Sequence, residues 1–287
     1  MKTSLLLLAA ASLWSAEEST RTIEKSFPLS GTSRSVYVCG INGPLTVTAN
    51  DSNEVRFSVH EKLAASSRDR LEEIKRETDF VIVQEGNAIR AGVKGPWSDR
   101  DCTQRNTENR NRERRRWDGN DTKVEHDITV SLPRDARIEL GNVNGSIRVT
   151  GTTGPYSVHT VNGGITMTDV EGSGDVVTVN GTVQAVYKRN PTAESKYRTV
   201  NGKLDLYFQP SLNADFKMKT VNGKAYTDFE MVSIPTTSSM KEGSNGMRVI
   251  HRNGALGEMR AGSGGPKISM ETVNGSILIH SVDKGRP

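Results

Sequence analysis

Between Leu140 and His280 apolar and polar positions alternate on either side of a phrase that keeps returning. It reads Asn142-Val143-Asn144-Gly145, Thr160-Val161-Asn162-Gly163, Thr178-Val179-Asn180-Gly181, Thr199-Val200-Asn201-Gly202, Thr220-Val221-Asn222-Gly223 and Thr272-Val273-Asn274-Gly275. From one asparagine to the next the steps are 18, 18, 21 and 21 residues, then a longer gap that the degenerate Arg252-Asn253-Gly254 divides. Four residues before the asparagines stand Leu140, Val158, Val176, Tyr197, Met218 and Met270, and three after them Ile147, Ile165, Val183, Leu204, Ala225 and Ile277. Five after them come Val149, Met167, Ala185, Leu206, Thr227 and Ile279, and the residues between these last two columns, such as Arg148, Thr166, Gln184 and Asp205, are mostly polar. Alternation with period two around an Asn-Gly turn predicts strand, turn, strand in every repeat, with one buried and one wet face.

Two architectures accommodate such a unit. Asn-Gly between alternating strands is a strong hairpin signal, which allows an antiparallel meander. A period near twenty is also the signature of a stacked array, in which like residues of successive units lie about 4.8 Å apart. Recurrence of the same residue types at the same places favours the second. The expectation is an all-β, parallel β-solenoid (β-helix or β-roll) of 18–21-residue coils over residues 133–283, with the amides of Asn144, Asn162, Asn180, Asn201, Asn222 and Asn274 forming a structural turn ladder. Asn suits the turn because it tolerates left-handed backbone, and Gly because it has no Cβ to clash.

Upstream the pattern changes. Residues 1–16 carry Lys2, the apolar run Leu5 to Ala11 and small residues Ser15-Ala16, which reads as a secretory signal peptide and not as structure. No later stretch is long and apolar enough to span a bilayer. Residues 26–132 read as an amino-terminal β module: Val36 to Val47 fits the repeat template around Ile41-Asn42-Gly43, Val55, Phe57 and Val59 alternate, and Phe80–Val83 pairs with Ala88–Val93. Ser66 to Thr78 is the one helical stretch, with Leu71 and Ile74 facing inward. Within this module residues 96–121 form a polar basic loop carrying Arg105, Arg110, Arg112, Arg114, Arg115 and Arg116 beside Trp117.

Composition adds little chemistry. The chain is 34% hydrophobic with 27 glycines and a formal net charge of +4, in keeping with a thin array of short strands. Its two cysteines, Cys39 and Cys102, suit an exported protein with one disulfide, although sequence alone leaves their pairing open. The five histidines show no metal-ligand spacing, and the pattern predicts no cofactor and no metal. A basic strip of Arg198, Lys203, Lys219 and Lys224 on the outward columns is the candidate ligand-binding surface. Catalysis would need convergent acids or bases on one external face, and Asp205 is the residue to test for it.

The layout resembles the bacterial "putative adhesin" family, domains of unknown function with recurring Val-Asn-Gly coils. The resemblance rests on Ile41-Asn42-Gly43, the strand-helix-strand section, Ile128-Thr129-Val130-Ser131-Leu132-Pro133-Arg134 and the repeats themselves. It implies an exported β-helix without catalytic residues, resident in the periplasm, on the cell surface or released. The expectation is therefore a non-enzymatic envelope or surface protein that presents a repetitive face to acidic glycans, lipid head groups or another envelope protein. Secretion argues against nucleic acid. The alternatives are a carbohydrate-active β-helix enzyme (lyase or hydrolase) and an envelope-stress sensor that binds peptides or lipids.

Overall fold

The computed structural model describes residues 17–95, 121–234, 239–242, 248–251 and 257–284. Residues 1–16, the Arg-rich loop with Cys102, and Arg252-Asn253-Gly254 lie outside the described residues. Alternation becomes strand wherever it occurs: in Tyr156–Asn162, Tyr156, Val158 and Thr160 are buried while His159 is exposed.

The strands form two large sheets. The first opens antiparallel with β1 (Glu17–Pro28), β4 (Glu54–Ala65) and β7 (Thr122–Pro133). A parallel run follows through β3 (Leu45–Asn50), β9 (Ile147–Thr150), β11 (Ile165–Val170), β13 (Val183–Tyr187), β15 (Leu204–Phe208), β23 (Ile277–Ser281) and β17 (Ala225–Thr227). It ends antiparallel in β20 (Arg248–His251) and β19 (Ser239–Glu242). The second sheet begins with the antiparallel pair β5 (Asp79–Glu85) and β6 (Ala88–Lys94). Its parallel run is β2 (Ser35–Cys39), β8 (Arg137–Asn144), β10 (Tyr156–Asn162), β12 (Gly174–Asn180), β14 (Ser195–Asn201), β22 (Lys267–Asn274) and β16 (Ala214–Asn222). Antiparallel β21 (Gly257–Ala261) and β18 (Met231–Ser233) complete it.

This architecture is all-β, but it corrects the expectation of a parallel β-solenoid. Both sheets are mixed, with antiparallel strands at their ends and no closed coil. Spatial order also departs from chain order. The repeat of Asn274 lies between those of Asn201 and Asn222, and Asn42 bridges to Asn144 across 102 residues. The physical reason lies in the motif itself. Two rungs of the same composition pair equally well whichever comes first in the chain, so like residues specify register without specifying sequence of stacking. Where the rungs run out, segments without the motif pair antiparallel, as hairpin partners do.

Buried residues of both sheets form one cluster from Leu29 to Ile279, so residues 26–132 and 133–283 share a core. Fully burying each Val, Leu or Ile contributes about 1.5–3 kcal/mol. Two sets of polar groups inside are paired. The hydroxyls of Tyr156 and Tyr197, from one sheet, meet that of Tyr187 from the other: Tyr156 lies 2.5 Å from Tyr187 and 2.8 Å from Tyr197, and Tyr187 also bonds Tyr197. Burial pushes the Tyr187 and Tyr197 hydroxyls well above the ordinary phenol range. A smaller cluster (Leu63, Ala65, Leu71, Ile74 and Val124) lies under α1 (Arg68–Glu77), whose cap Ser67 accepts from Arg70 N at 3.3 Å. Glu61 and His126 are buried on β4 and β7. Arg21 Nε lies 2.6 Å from Glu61 Oε1 and His126 Nε2 2.9 Å from Oε2.

Candidate functional site

The turns align into one edge. Each Asn amide nitrogen donates to the amide oxygen of the next rung: Asn144 to Asn42 and Asn162 to Asn144 at 2.8 Å, Asn180 to Asn162 at 2.9 Å, Asn201 to Asn180 at 2.8 Å. Asn274 donates to Asn201 and Asn222 to Asn274, both at 2.7 Å. Seven asparagines therefore form an unbroken row, which Asn42 of the upstream template copy joins at one end. Backbone and hydroxyl bonds reinforce every step. Gly163 N donates to Asn180 O at 3.0 Å, and Thr178 Oγ1 to Gly163 O at 2.9 Å. At Asn142, which replaces the usual Thr, the amide donates to Gly43 O at 2.8 Å.

Glycine is required in the turn for closeness of approach. A Cβ on Gly181 would stand 2.1 Å from Gly163 O, and one on Gly202 1.9 Å from Gly181 O. Side chains of that kind essentially never fit at such distances, so the rungs can close only because the column is glycine.

Beside the amides runs a second row, of valines. Val143, Val161, Val179, Val200, Val273 and Val221 are 36–57% exposed, and they are six of the eight large hydrophobic residues exposed among the described residues. Scattered single apolar residues on a surface need no explanation, but six in one line form a feature. With a step of about 4.8 Å per strand, seven rungs span roughly 29 Å.

The basic strip is dispersed. Arg198 and Lys219 occupy one outward column, but Glu271 of β22 stands between them and pairs with Lys219 at 3.1 Å. Lys203 binds Asp205 Oδ2 at 2.7 Å, and Ser276 holds the place between Lys203 and Lys224. The 201 and 222 repeats, successive in sequence, are thus separated by the inserted last repeat. Cys39 is disulfide-bonded, and Cys102 lies outside the described residues.

In the first sheet a polar cluster gathers on β15, β23 and the bend that follows β17. His280 Nδ1 lies 3.1 Å from Asp228 Oδ2 and His280 Nε2 3.6 Å from Asp205 Oδ1, while Tyr207 stacks on the His280 ring at 4.8 Å. Asp205 is only 3% exposed, and its Oδ1 makes no hydrogen bond. Burial and then the Asp205 charge raise the Tyr207 hydroxyl above its ordinary range. His280 and Asp205 are 75 positions apart, and only the insertion of β23 beside β15 brings them together, so no local pattern announced them. Among the described residues no group of three or more His, Cys, Asp or Glu is arranged to hold a metal ion, and no helix is long and apolar enough to cross a membrane.

No family model matches the chain, and no curated protein matches it. Solved structures do. A "putative cell adhesion protein" from Clostridium sporogenes is 12% identical, with 92% of this chain and 100% of that one covered and a TM-score of 0.43. A "putative adhesin" from Bacteroides fragilis is 10% identical, covering 91% and 97%, with a TM-score of 0.39. A "putative lipid binding protein" from Parabacteroides distasonis is 11% identical, covering 92% and 96%, with a TM-score of 0.25. Likeness at this level says nothing about activity.

Proposed function

We propose that the chain is an exported, non-catalytic envelope protein that holds an extended partner along its turn edge. The observation that supports this reading is the unbroken pair of rows, seven amides beside six exposed valines. Such an edge is rigid, because backbone, hydroxyl and amide bonds tie each rung to the next, so a ligand meets it with little ordering left to do. Its length grows by one strand per repeat, which suits a linear partner better than a small molecule. Arg198 and Lys224, which have no acidic partner among the described residues, add positive charge near one end for acidic glycans or head groups.

A second reading, a carbohydrate-active enzyme, draws on Asp205, whose buried Oδ1 makes no hydrogen bond and faces His280. Against it, the other oxygen is held by Lys203 and almost none of the carboxylate is accessible. Both readings meet one experiment. Purified chain lacking residues 1–16 is mixed with isolated cell-envelope fractions and with polysaccharides, and both retention and soluble oligosaccharide are measured. Retention without released sugar is expected. Release that disappears in Asp205→Asn overturns the binding reading.

A further inference from the structure

Resting on that reading, we infer that the partner is a neutral β-1,4-linked pyranose chain lying along the valine and asparagine rows. Three features of the edge point to it. The apolar row of six valines is one side chain wide and roughly 24 Å long, too narrow for the roughly 800 Å² that each partner of a stable protein interface buries. A second copy of the chain or a folded protein is therefore a poor fit, and a thread-like molecule a good one.

Next, the chemistry repeats at a fixed interval. Six of the seven rungs, from Asn144 to Asn222, offer one exposed valine and one exposed amide. An Asn amide has two N–H donors and an oxygen with two lone pairs. The ladder uses one donor and one lone pair at each interior rung such as Asn162, leaving one of each for a ligand. A β-linked pyranose presents the same pairing, an apolar C–H face beside equatorial hydroxyls that donate and accept. It repeats along its chain at a spacing close to the strand step. Each sugar thus meets one valine through its C–H face and one amide through its hydroxyls. α-Linked chains coil and do not stay in line.

Finally, the column next to the valines is uncharged along half of the row. Beside Val143, Val161 and Val179 the next outward column holds Gly141, His159 and Val177, and no carboxylate or ammonium flanks them. Charge enters only from Arg198 onward, and there Glu271 and Lys219 are paired.

The test uses the chain without residues 1–16 and two probes, cellohexaose and maltohexaose, in isothermal titration. Cellohexaose is expected to bind with an affinity insensitive to added salt, at least about tenfold tighter than cellobiose, and tighter than maltohexaose. The double variant Val161→Asp/Val179→Lys, at exposed positions, should lose about tenfold. The milder Val161→Thr/Val179→Thr pair, which keeps β-branched residues in the strands, should weaken binding in the same direction if the charged variant does not fold. Cellohexaose binding no better than maltohexaose, or unchanged in both variants, overturns the inference. Retention on envelope fractions without cellohexaose binding removes this ligand and leaves the envelope-binding reading intact. Absence of retention removes the envelope-binding reading itself.

Discussion

Substitution of Gly181 by Ala tests the packing of the edge most sharply. The new Cβ would lie 2.1 Å from Gly163 O, whereas ordinary contact begins near 3.4 Å, so neighbouring rungs must part by about 1.3 Å. That separation stretches three bonds past the limit for a hydrogen bond: Gly163 N to Asn180 O (3.0 Å), Thr178 Oγ1 to Gly163 O (2.9 Å) and Asn180 Nδ2 to Asn162 Oδ1 (2.9 Å). At about 0.5–1.5 kcal/mol each, the loss is roughly 2–4 kcal/mol. For a domain of this size it lowers the melting temperature by roughly 5–15 °C. Gly141→Ala is the matched control. Its Cβ would meet only Cys39 Cβ at 3.7 Å, an ordinary contact, and the residue does not need left-handed backbone. It should be neutral or stabilising by about 0.4–1 kcal/mol through the unfolded chain. Thermal unfolding followed by circular dichroism reads both. A Gly181→Ala melting temperature within about 2 °C of the parent would refute the close approach of the rungs.

Other predictions concern buried polar groups. Tyr187→Phe leaves the Tyr156 and Tyr197 hydroxyls short of a partner and should cost about 1–3 kcal/mol in urea unfolding, while replacing all three tyrosines by Phe should cost less than the summed single changes. Burial alone would raise the pKa of Glu61, but bonds from His126 and Arg21 and the Arg21 charge outweigh it and hold the carboxyl below its ordinary value. Its ionised form therefore stabilises the fold above the unfolded carboxyl's pKa of about 4.3, and this stability is lost as pH falls through the lower folded value. Glu61→Gln should flatten that acid limb in a series of urea titrations across pH. Asn162→Ala removes two amide bonds from the middle of the ladder and should cost about 1–2 kcal/mol, measured the same way.

Much of the edge was legible in the residues. Asn, Gly, Val and the flanking apolar columns recur with fixed offsets, and each offset has a local physical cause, the turn and the pleat. What could not be read was order. Asn274 sits between Asn201 and Asn222, and nothing in a repeated motif says which copy is whose neighbour. Two consequences followed. Arg198 and Lys219 stand in successive repeats of the sequence although Glu271 divides them in the fold, and the meeting of Asp205, Asp228 and His280 depends on where β23 inserts. The antiparallel ends escaped for another reason. Strands such as Glu17–Pro28, with charged and apolar residues irregularly mixed, carry no period that distinguishes hairpin pairing from stacking.

The whole edge rests on that rung order. Nuclear Overhauser contacts among the asparagine side-chain amides, measured on isotope-labelled protein, report it directly. The Asn274 amide should show contacts to both Asn201 and Asn222, and Asn144 to Asn42, with none between Asn201 and Asn222. A direct contact between Asn201 and Asn222, leaving Asn274 at the end of the row, contradicts the architecture and the edge built on it.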